Sequence, residues 1–233
     1  MSNFAKKLSL VAASLCLSAS ALAIQGSKFS ATLSKTALMN ETTNGSATIM
    51  SSQIHTSNKK ELLIGVSLES GLYTQTQVKG RNGDKDSSSA QAKVEISVYV
   101  DGKLAAPGKV IYNERTQELS AVLGGVIESC TFNTDSNGDG IIDDNITIII
   151  ENNCIVTDEE IELIQRTMSA NHFNFVMPDL PSGDHTITVK AEIVTDSSSS
   201  NGSASATGLV GKGSLTVETV RAINQSGGLV ILE

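Results

Sequence analysis

The chain has 233 residues, with 17 Lys and Arg against 25 Asp and Glu and a formal net charge of −8. Hydrophobic residues make up 39% of the sequence, which is enough for a packed core and excludes a wholly disordered chain. No apolar run reaches the roughly 20 residues that a membrane span needs. The negative charge, with no basic cluster larger than Lys59-Lys60, argues against binding to nucleic acid, because such binding depends on neutralising phosphates.

The N-terminal segment has the pattern of a secretory signal peptide. Lys6 and Lys7 give a positive start, an apolar stretch covers residues 8–17, and Ala21-Leu22-Ala23 places small residues where a signal peptidase cleaves. A permanent N-terminal helix or anchor is the alternative, but the apolar stretch is too short to span a bilayer. We therefore expect residues 1–23 to be a signal peptide and the protein to be secreted or periplasmic.

The remainder divides into two parts by composition. Residues 24–44 are rich in Ser, Thr, Asn and Lys, which predicts a loosely ordered N-terminal arm. Residues 45–233 show no repeat of fixed period. We expect them to form one enlarged β-sandwich domain with an insertion at residues 128–170.

Apolar and polar residues alternate with a period of two in several segments, which is typical of strands with one buried and one wet face. The apolar positions are Ile64, Val66 and Leu68; Val94, Ile96, Val98 and Val100; Ile146, Ile148 and Ile150; and Ile187, Val189, Ala191 and Ile193. Such strands form antiparallel sheets whose apolar faces need a second layer. The fold class predicted is therefore all-β, an antiparallel β-sandwich.

Two segments break the alternation. Gly80–Ala90 and Asp196–Ala206 are rich in Ser, Gly, Asn and Asp, and neither has apolar surface to bury. We expect both to be mobile hairpin loops between long strands.

Two cysteines remain beyond the signal segment, Cys130 and Cys154. In an oxidising compartment an isolated pair is most simply a disulfide, although two free thiols or a redox pair are alternatives. Closing this loop would stabilise the fold by roughly 3 kcal/mol on the chain-entropy account. A tight hairpin centred on residues 135–144 would place Cys130 opposite Ile149, so the bond requires the chain at Cys154 to fold back or a bulge to intervene.

The most specific motif is an acidic segment inside the predicted insertion. Oxygen-bearing side chains fall at positions 1, 3 and 5 of a loop, and Gly140 at position 6 permits a sharp turn. The predicted calcium ligands are Asp135, Asn137, Asp139, Ile141 (through its carbonyl) and Asp143. Carboxylates this close repel one another unless a cation lies among them, which favours bound calcium. A solvated hairpin turn without metal is the alternative.

This segment resembles the calcium loops of the EF-hand, dockerin and thrombospondin type 3 families. It departs from the EF-hand at position 12, where Ile146 replaces the bidentate glutamate, and a predicted strand follows it in place of a helix. Asp144, Glu128 or Glu151 would have to complete the ligand shell. Magnesium is less suited, because it prefers few protein ligands and retains water.

One segment has the pattern of a helix. Thr157 and the acids at 158–160 resemble a capping box, and Ile161, Ile164 and Met168 fall on one helical face. We predict a short helix here, lying across an end or face of the sandwich, and interpret the acids as capping residues and not as a metal site or general-acid cluster.

The segment Pro178–Ala191 combines a Leu-x-x-Gly-x-His corner with an alternating strand. It resembles the turn and penultimate strand of immunoglobulin-like domains, with His185 at the position of the tyrosine corner, where it could hydrogen-bond to the backbone. On this resemblance Gly208–Val220 would be the last strand and Val98–Gly102 a mid-domain hairpin. The resemblance implies extracellular recognition or adhesion.

The residues expected of an enzyme are sparse. His55, His172 and His185 are not followed at ligand spacing by another His or Cys, and neither Gly-x-Ser-x-Gly nor His-Glu-x-x-His occurs. We therefore do not expect an enzyme. Few aromatic residues and no Trp make a sugar-stacking platform hard to build, although calcium itself can coordinate hydroxyls.

These observations predict an immunoglobulin-like β-sandwich with a calcium-loop hairpin insertion, a disulfide and one short helix. The expected function is a secreted, non-catalytic structural or adhesive role towards an extracellular protein or glycan, without a membrane span. A calcium-dependent glycan-binding module and a fimbrial-type subunit are the alternatives. The second would use the apolar terminus Gly228–Glu233 to pair with a sheet edge.

Overall fold

A computed structural model describes residues 29–34, 45–131 and 154–221. The regular elements in these ranges are all β-strands, and no helix long and apolar enough to cross a membrane occurs among them. The strands are β1 (Phe29–Ser34), β2 (Ala47–Thr56), β3 (Lys60–Gly80), β4 (Lys85–Val100), β5 (Lys103–Leu104), β6 (Val110–Val122), β7 (Val126–Cys130), β8 (Cys154–Thr157), β9 (Glu159–Leu180), β10 (Gly183–Ser199) and β11 (Gly202–Val220). The all-β prediction is confirmed.

The strands form two large antiparallel sheets and one small one. The four-stranded sheet has the order β1-β11-β3-β9, and the five-stranded sheet has β2-β10-β4, with β5 and β6 both beside β4. The third sheet is the hairpin β7-β8. Every pairing between these strands is antiparallel.

The two large sheets bury their apolar faces in one core. In β4 the alternating residues Val94, Ile96, Val98 and Val100 are fully buried, as the sequence predicts. They share the core with residues from the other sheet such as Phe175 of β9. Burial of each large aliphatic side chain contributes roughly 1.5–3 kcal/mol, so the shared core holds the two layers together. The arrangement is sandwich-like.

The predicted helix is wrong, because Thr157 ends β8 and the residues from Glu159 onward belong to β9, which pairs with β3 along its whole length. The apolar positions fit a strand as well as a helix, and the long partner β3 supplies a hydrogen-bond ladder that local sequence does not reveal. The acids also have cross-strand partners. Glu160 lies opposite Lys79, with Lys Nζ 2.9 Å from its carboxylate, and Glu162 accepts a hydrogen bond from Gln75.

The two predicted hairpin loops are largely strand. Residues 85–90 belong to β4, residues 196–199 to β10 and residues 202–206 to β11, which leaves short connections at 81–84 and 200–201. Small side chains let the sheets approach here: Ala90 is fully buried, and buried Ser88 donates its hydroxyl to the Ser203 carbonyl at 2.8 Å. The composition predicted loops because Ser is rarely a core residue. Here a Ser can be buried because a backbone carbonyl accepts the hydrogen bond of its hydroxyl.

Strand β1 falls inside the segment predicted to be a loosely ordered arm, and it pairs with β11 from Phe29 opposite Glu218 to Ser34 opposite Gly213. The strand predicted at Ile146–Ile150 lies outside the described residues. So do the predicted signal peptide at residues 1–23 and the C-terminal segment Gly228–Glu233.

Candidate functional site

The hairpin β7-β8 carries the disulfide at its far end. Cys130 lies directly opposite Cys154, with Cα atoms 4.0 Å apart, and the two form the predicted bond. A tight hairpin centred on residues 135–144 would have placed Ile149 opposite Cys130, and the observed register differs from it. A register shift lies between Ile127 and Ser129 of β7, on the side of Cys130 away from the loop, so it does not account for this pairing. The disulfide therefore closes residues 131–153 into a covalent loop.

That closed loop contains the predicted metal site. The five predicted ligands, Asp135, Asn137, Asp139, Ile141 and Asp143, lie outside the described residues, as do Asp144 and Glu151. Glu128, the remaining candidate ligand, is exposed on β7, two residues before Cys130. Within the described ranges, no group of three or more His, Cys, Asp or Glu side chains could hold a metal ion.

Close backbone contacts attach the hairpin to the end of the sandwich. Gly125 has φ +84°, and a Cβ there would lie 2.6 Å from Val156 and 2.8 Å from the Cβ of Arg81. Gly83 donates its amide to the Leu123 carbonyl at 2.9 Å. The β7-β8 hairpin therefore packs directly on the β3-β4 connection, which only a glycine at 125 allows.

A polar cleft of about 340 Å³ lies beside the hairpin. Its lining residues are Gly80, Arg81, Asn82, Asp84, Asp86, Asp158 and Asn201. Arg81 Nε is 3.6 Å from the Asp158 carboxylate, and Ser200 donates its hydroxyl to Asp86 at 3.1 Å. The cleft is thus lined by three carboxylates and one guanidinium. It lies where the β7-β8 hairpin meets the β3-β4 and β10-β11 turns.

The most enzyme-like arrangement in the described residues is centred on His185. Its Nδ1 is 2.7 Å from an Asp101 carboxylate oxygen, and its Nε2 is 3.1 Å from the Thr56 hydroxyl and 3.0 Å from the Pro181 carbonyl. A hydroxyl, an imidazole and a carboxylate in this order are the groups of a nucleophilic triad.

Burial and hydrogen bonding give these groups a structural role. Thr56 is 1% exposed and His185 is 3% exposed, and Thr56 donates its hydroxyl proton to the Pro181 carbonyl at 2.7 Å. Burial alone would lower the pKa of His185, but hydrogen bonds to Asp101 and to the Pro181 carbonyl raise it overall. The ring thus joins three chain segments, and the expected hydrogen bond from His185 to backbone is confirmed.

The other two histidines lie on outer faces. His172 is exposed on β9, with Nδ1 2.7 Å from the Ser67 hydroxyl and Nε2 2.8 Å from Asn174. His55 on β2 lies 2.6 Å from the carboxylate of Asp184, its cross-strand partner. Neither histidine shares its contacts with His185, so the structure does not bring the three together.

A buried polar ladder between β6 and the four-stranded sheet was not predicted. Gln117 accepts a hydrogen bond from Thr74 at 2.8 Å and donates to Thr76 at 2.6 Å and to the Leu163 carbonyl at 2.8 Å. Tyr112 accepts from the Leu68 amide at 2.8 Å. These side chains connect distant strands, so no local pattern could have found them.

No family model matches the chain, and a search of curated proteins found no match.

Proposed function

We propose that the protein is an exported, non-catalytic scaffold of immunoglobulin-like architecture that presents a calcium-binding loop in a structural or adhesive role. The observation that carries this proposal is the bond between Cys130 and Cys154, which closes the acidic segment at its base. A disulfide persists in secreted and periplasmic compartments, which agrees with the expected signal peptide.

The closed loop is suited to a hard cation. Asp135, Asp139 and Asp143 lie within nine residues, and their mutual repulsion is relieved when a divalent ion is bound. The disulfide restricts the loop before the ion arrives, which lowers the entropy that binding must overcome. Calcium then organises a segment with little apolar surface of its own.

The sandwich supports a scaffold role. The immunoglobulin-like assignment rests on the corner at His185, whose ring donates to the Pro181 carbonyl four residues earlier, as a tyrosine corner does through its hydroxyl. The non-catalytic assignment rests on the burial of the Thr56–His185–Asp101 group, which leaves a substrate no approach to the Thr56 hydroxyl.

Melting curves with calcium and with chelator test this function. Calcium should raise the melting temperature of the purified protein, and Asp139→Ala should abolish the rise. Asp196→Ala, a change of the same type on β10, should retain it. Identical melting curves in calcium and in chelator would contradict the proposal.

A further inference from the structure

Strand β9 forms one edge of the four-stranded sheet. It pairs with β3 from Glu159 to Leu180, and β10, β4 and β6 belong to the opposite layer. Between Glu160 and Asn174 no strand of the described ranges pairs with β9 on the side away from β3, although side chains of β6 donate hydrogen bonds to the Leu163 and Asn171 carbonyls. A free edge of this length presents unpaired backbone donors and acceptors, which can pair with another strand.

Hydrogen bonds at Val176 show which residues face this edge. Val176 and Ala106 exchange two bonds of 2.9 Å on the side away from β3. The β3-β9 register runs without a shift from Met177 to Glu159. Because backbone direction alternates with a period of two, the even-numbered residues from 160 to 174 point their amide and carbonyl groups at the free edge.

The side chains of the same residues lie on the outer face of the sheet. The odd-numbered residues lie on the inner face, where Phe175 and Met177 are buried, whereas Ile161 and Leu163 near the other end of the strand are 41% and 39% exposed. Ile164 is 46% exposed and Met168 is 61% exposed. They share this face with three charged residues, in the order Glu160, Glu162, Ile164, Arg166, Met168. The free edge therefore combines apolar and charged side chains in one row.

This row is complementary to itself. In an antiparallel pair of β9 strands with the two-fold axis at Ile164, each Ile164 faces its counterpart and each Glu162 faces Arg166 of the second copy. Within one chain Glu162 and Arg166 lie about 13 Å apart along the strand, too far to form an ion pair. In this register Glu160 lies opposite Met168 of the second copy. Moving the axis to Gln165 places Glu162 opposite Met168 and loses both ion pairs.

We propose that two copies of this chain associate through their β9 edges, antiparallel and centred on Ile164. The two sheets then continue as one across the two-fold axis, with backbone bonds at Glu162, Ile164 and Arg166 and two symmetric Glu162–Arg166 ion pairs between copies. This interface goes beyond the proposed function and does not depend on the calcium loop.

Sedimentation equilibrium in chelator tests the interface. We expect a monomer–dimer equilibrium for the disulfide-intact protein. Glu162→Arg or Arg166→Glu should each weaken dimerisation about tenfold or more, because like charges then face each other at two positions. The double variant Glu162→Arg/Arg166→Glu should restore the dimer. Glu118→Arg, on the edge strand β6 of the other layer, should leave it unchanged.

Hydrogen exchange locates the contact. The amides of Glu162, Ile164 and Arg166 should exchange more slowly as the protein concentration rises through the dimer range. A protein that stays monomeric at all concentrations, a double variant that remains as weak as the single ones, or a dimer whose β9 amides exchange as in the monomer would each overturn the proposal. Failure here leaves the calcium-dependent melting curves unaffected, so the two proposals are tested separately.

Discussion

His185 Nδ1 lies 2.7 Å from Asp101 Oδ2, and the second oxygen of Asp101 accepts the Thr186 amide at 2.8 Å. This contact joins the turn after β4 to the first residues of β10. Because both ring nitrogens of His185 face oxygen acceptors, the arrangement is satisfied best when the ring is protonated.

The stability of the fold should therefore depend on pH. Burial opposes the charge on His185, but the hydrogen bonds of its ring raise its pKa above the ordinary value. The stability that His185 contributes is therefore fully present below about pH 6.5 and is lost as the pH rises through the folded-state pKa. Burial would raise the pKa of Asp101, yet hydrogen bonds from His185 and Thr186 lower it overall. Its contribution is present above about pH 4 and is lost in more acid solution.

Urea unfolding from pH 3 to pH 9 measures this dependence. The free energy of unfolding should be highest between about pH 4 and 6.5 and should fall on both sides. His185→Gln should remove the decline above pH 6.5, and His55→Gln, at the half-buried histidine on β2, should retain it. A decline of equal size in the His185 variant would show that other groups cause it.

The buried ladder predicts a large effect for a nearly isosteric change. Gln117 is 5% exposed, and Gln117→Leu leaves the hydroxyls of Thr74 and Thr76 without their partner. We expect a loss of about 1–3 kcal/mol in the free energy of unfolding, measured in urea. Glu118→Leu, on the exposed face of the same strand, should change it by less than about 0.5 kcal/mol. Equal effects of the two changes would contradict a role for the ladder.

The turn between β10 and β11 requires glycine. Gly202 has φ +137°, and a Cβ at this position would lie 2.1 Å from the Gln77 carbonyl oxygen. Gly202→Ala should therefore lower the free energy of unfolding by more than about 1 kcal/mol. Gly124→Ala should change it little, because nothing lies within 4 Å of a Cβ there. Thermal unfolding of the two variants measures this difference, and equal melting temperatures would contradict a requirement for glycine at position 202.

The disulfide should act on calcium binding more than on the sandwich core. Replacing both Cys130 and Cys154 by Ser releases the ends of the acidic loop, and we expect calcium affinity to fall about tenfold because the loop is no longer restricted. Stability without calcium should fall by at most roughly 3 kcal/mol. Calorimetry of the double serine variant checks this, and an unchanged affinity would show that the bond does not organise the loop.

Local patterns predicted those features that depend on neighbouring residues. The alternation of Val94 to Val100 identified a strand because each second residue faces the core, and the isolated cysteine pair identified the disulfide. The corner at His185 was also recognisable from its own segment.

Features that depend on distant partners were missed. The spacing of Ile161, Ile164 and Met168 fits a helix, but these residues form a strand because β3 provides backbone hydrogen-bond partners beside them. Ser88 is typical of a loop, but it is buried in a strand because the Ser203 carbonyl accepts its hydroxyl proton. The contacts of Gln117 join residues more than forty positions apart, with Thr74 43 positions and Leu163 46 positions away. Such pairings arise from the topology of the sheets.

Calorimetric titration of the purified, disulfide-intact protein with calcium tests the central claim most directly. We expect uptake of about one ion per chain, with a dissociation constant on the order of 10⁻⁴–10⁻³ M, as in extracellular modules, and no uptake by Asp139→Ala. Absence of any binding heat at millimolar calcium, or equal uptake by the Asp139 variant, would contradict it.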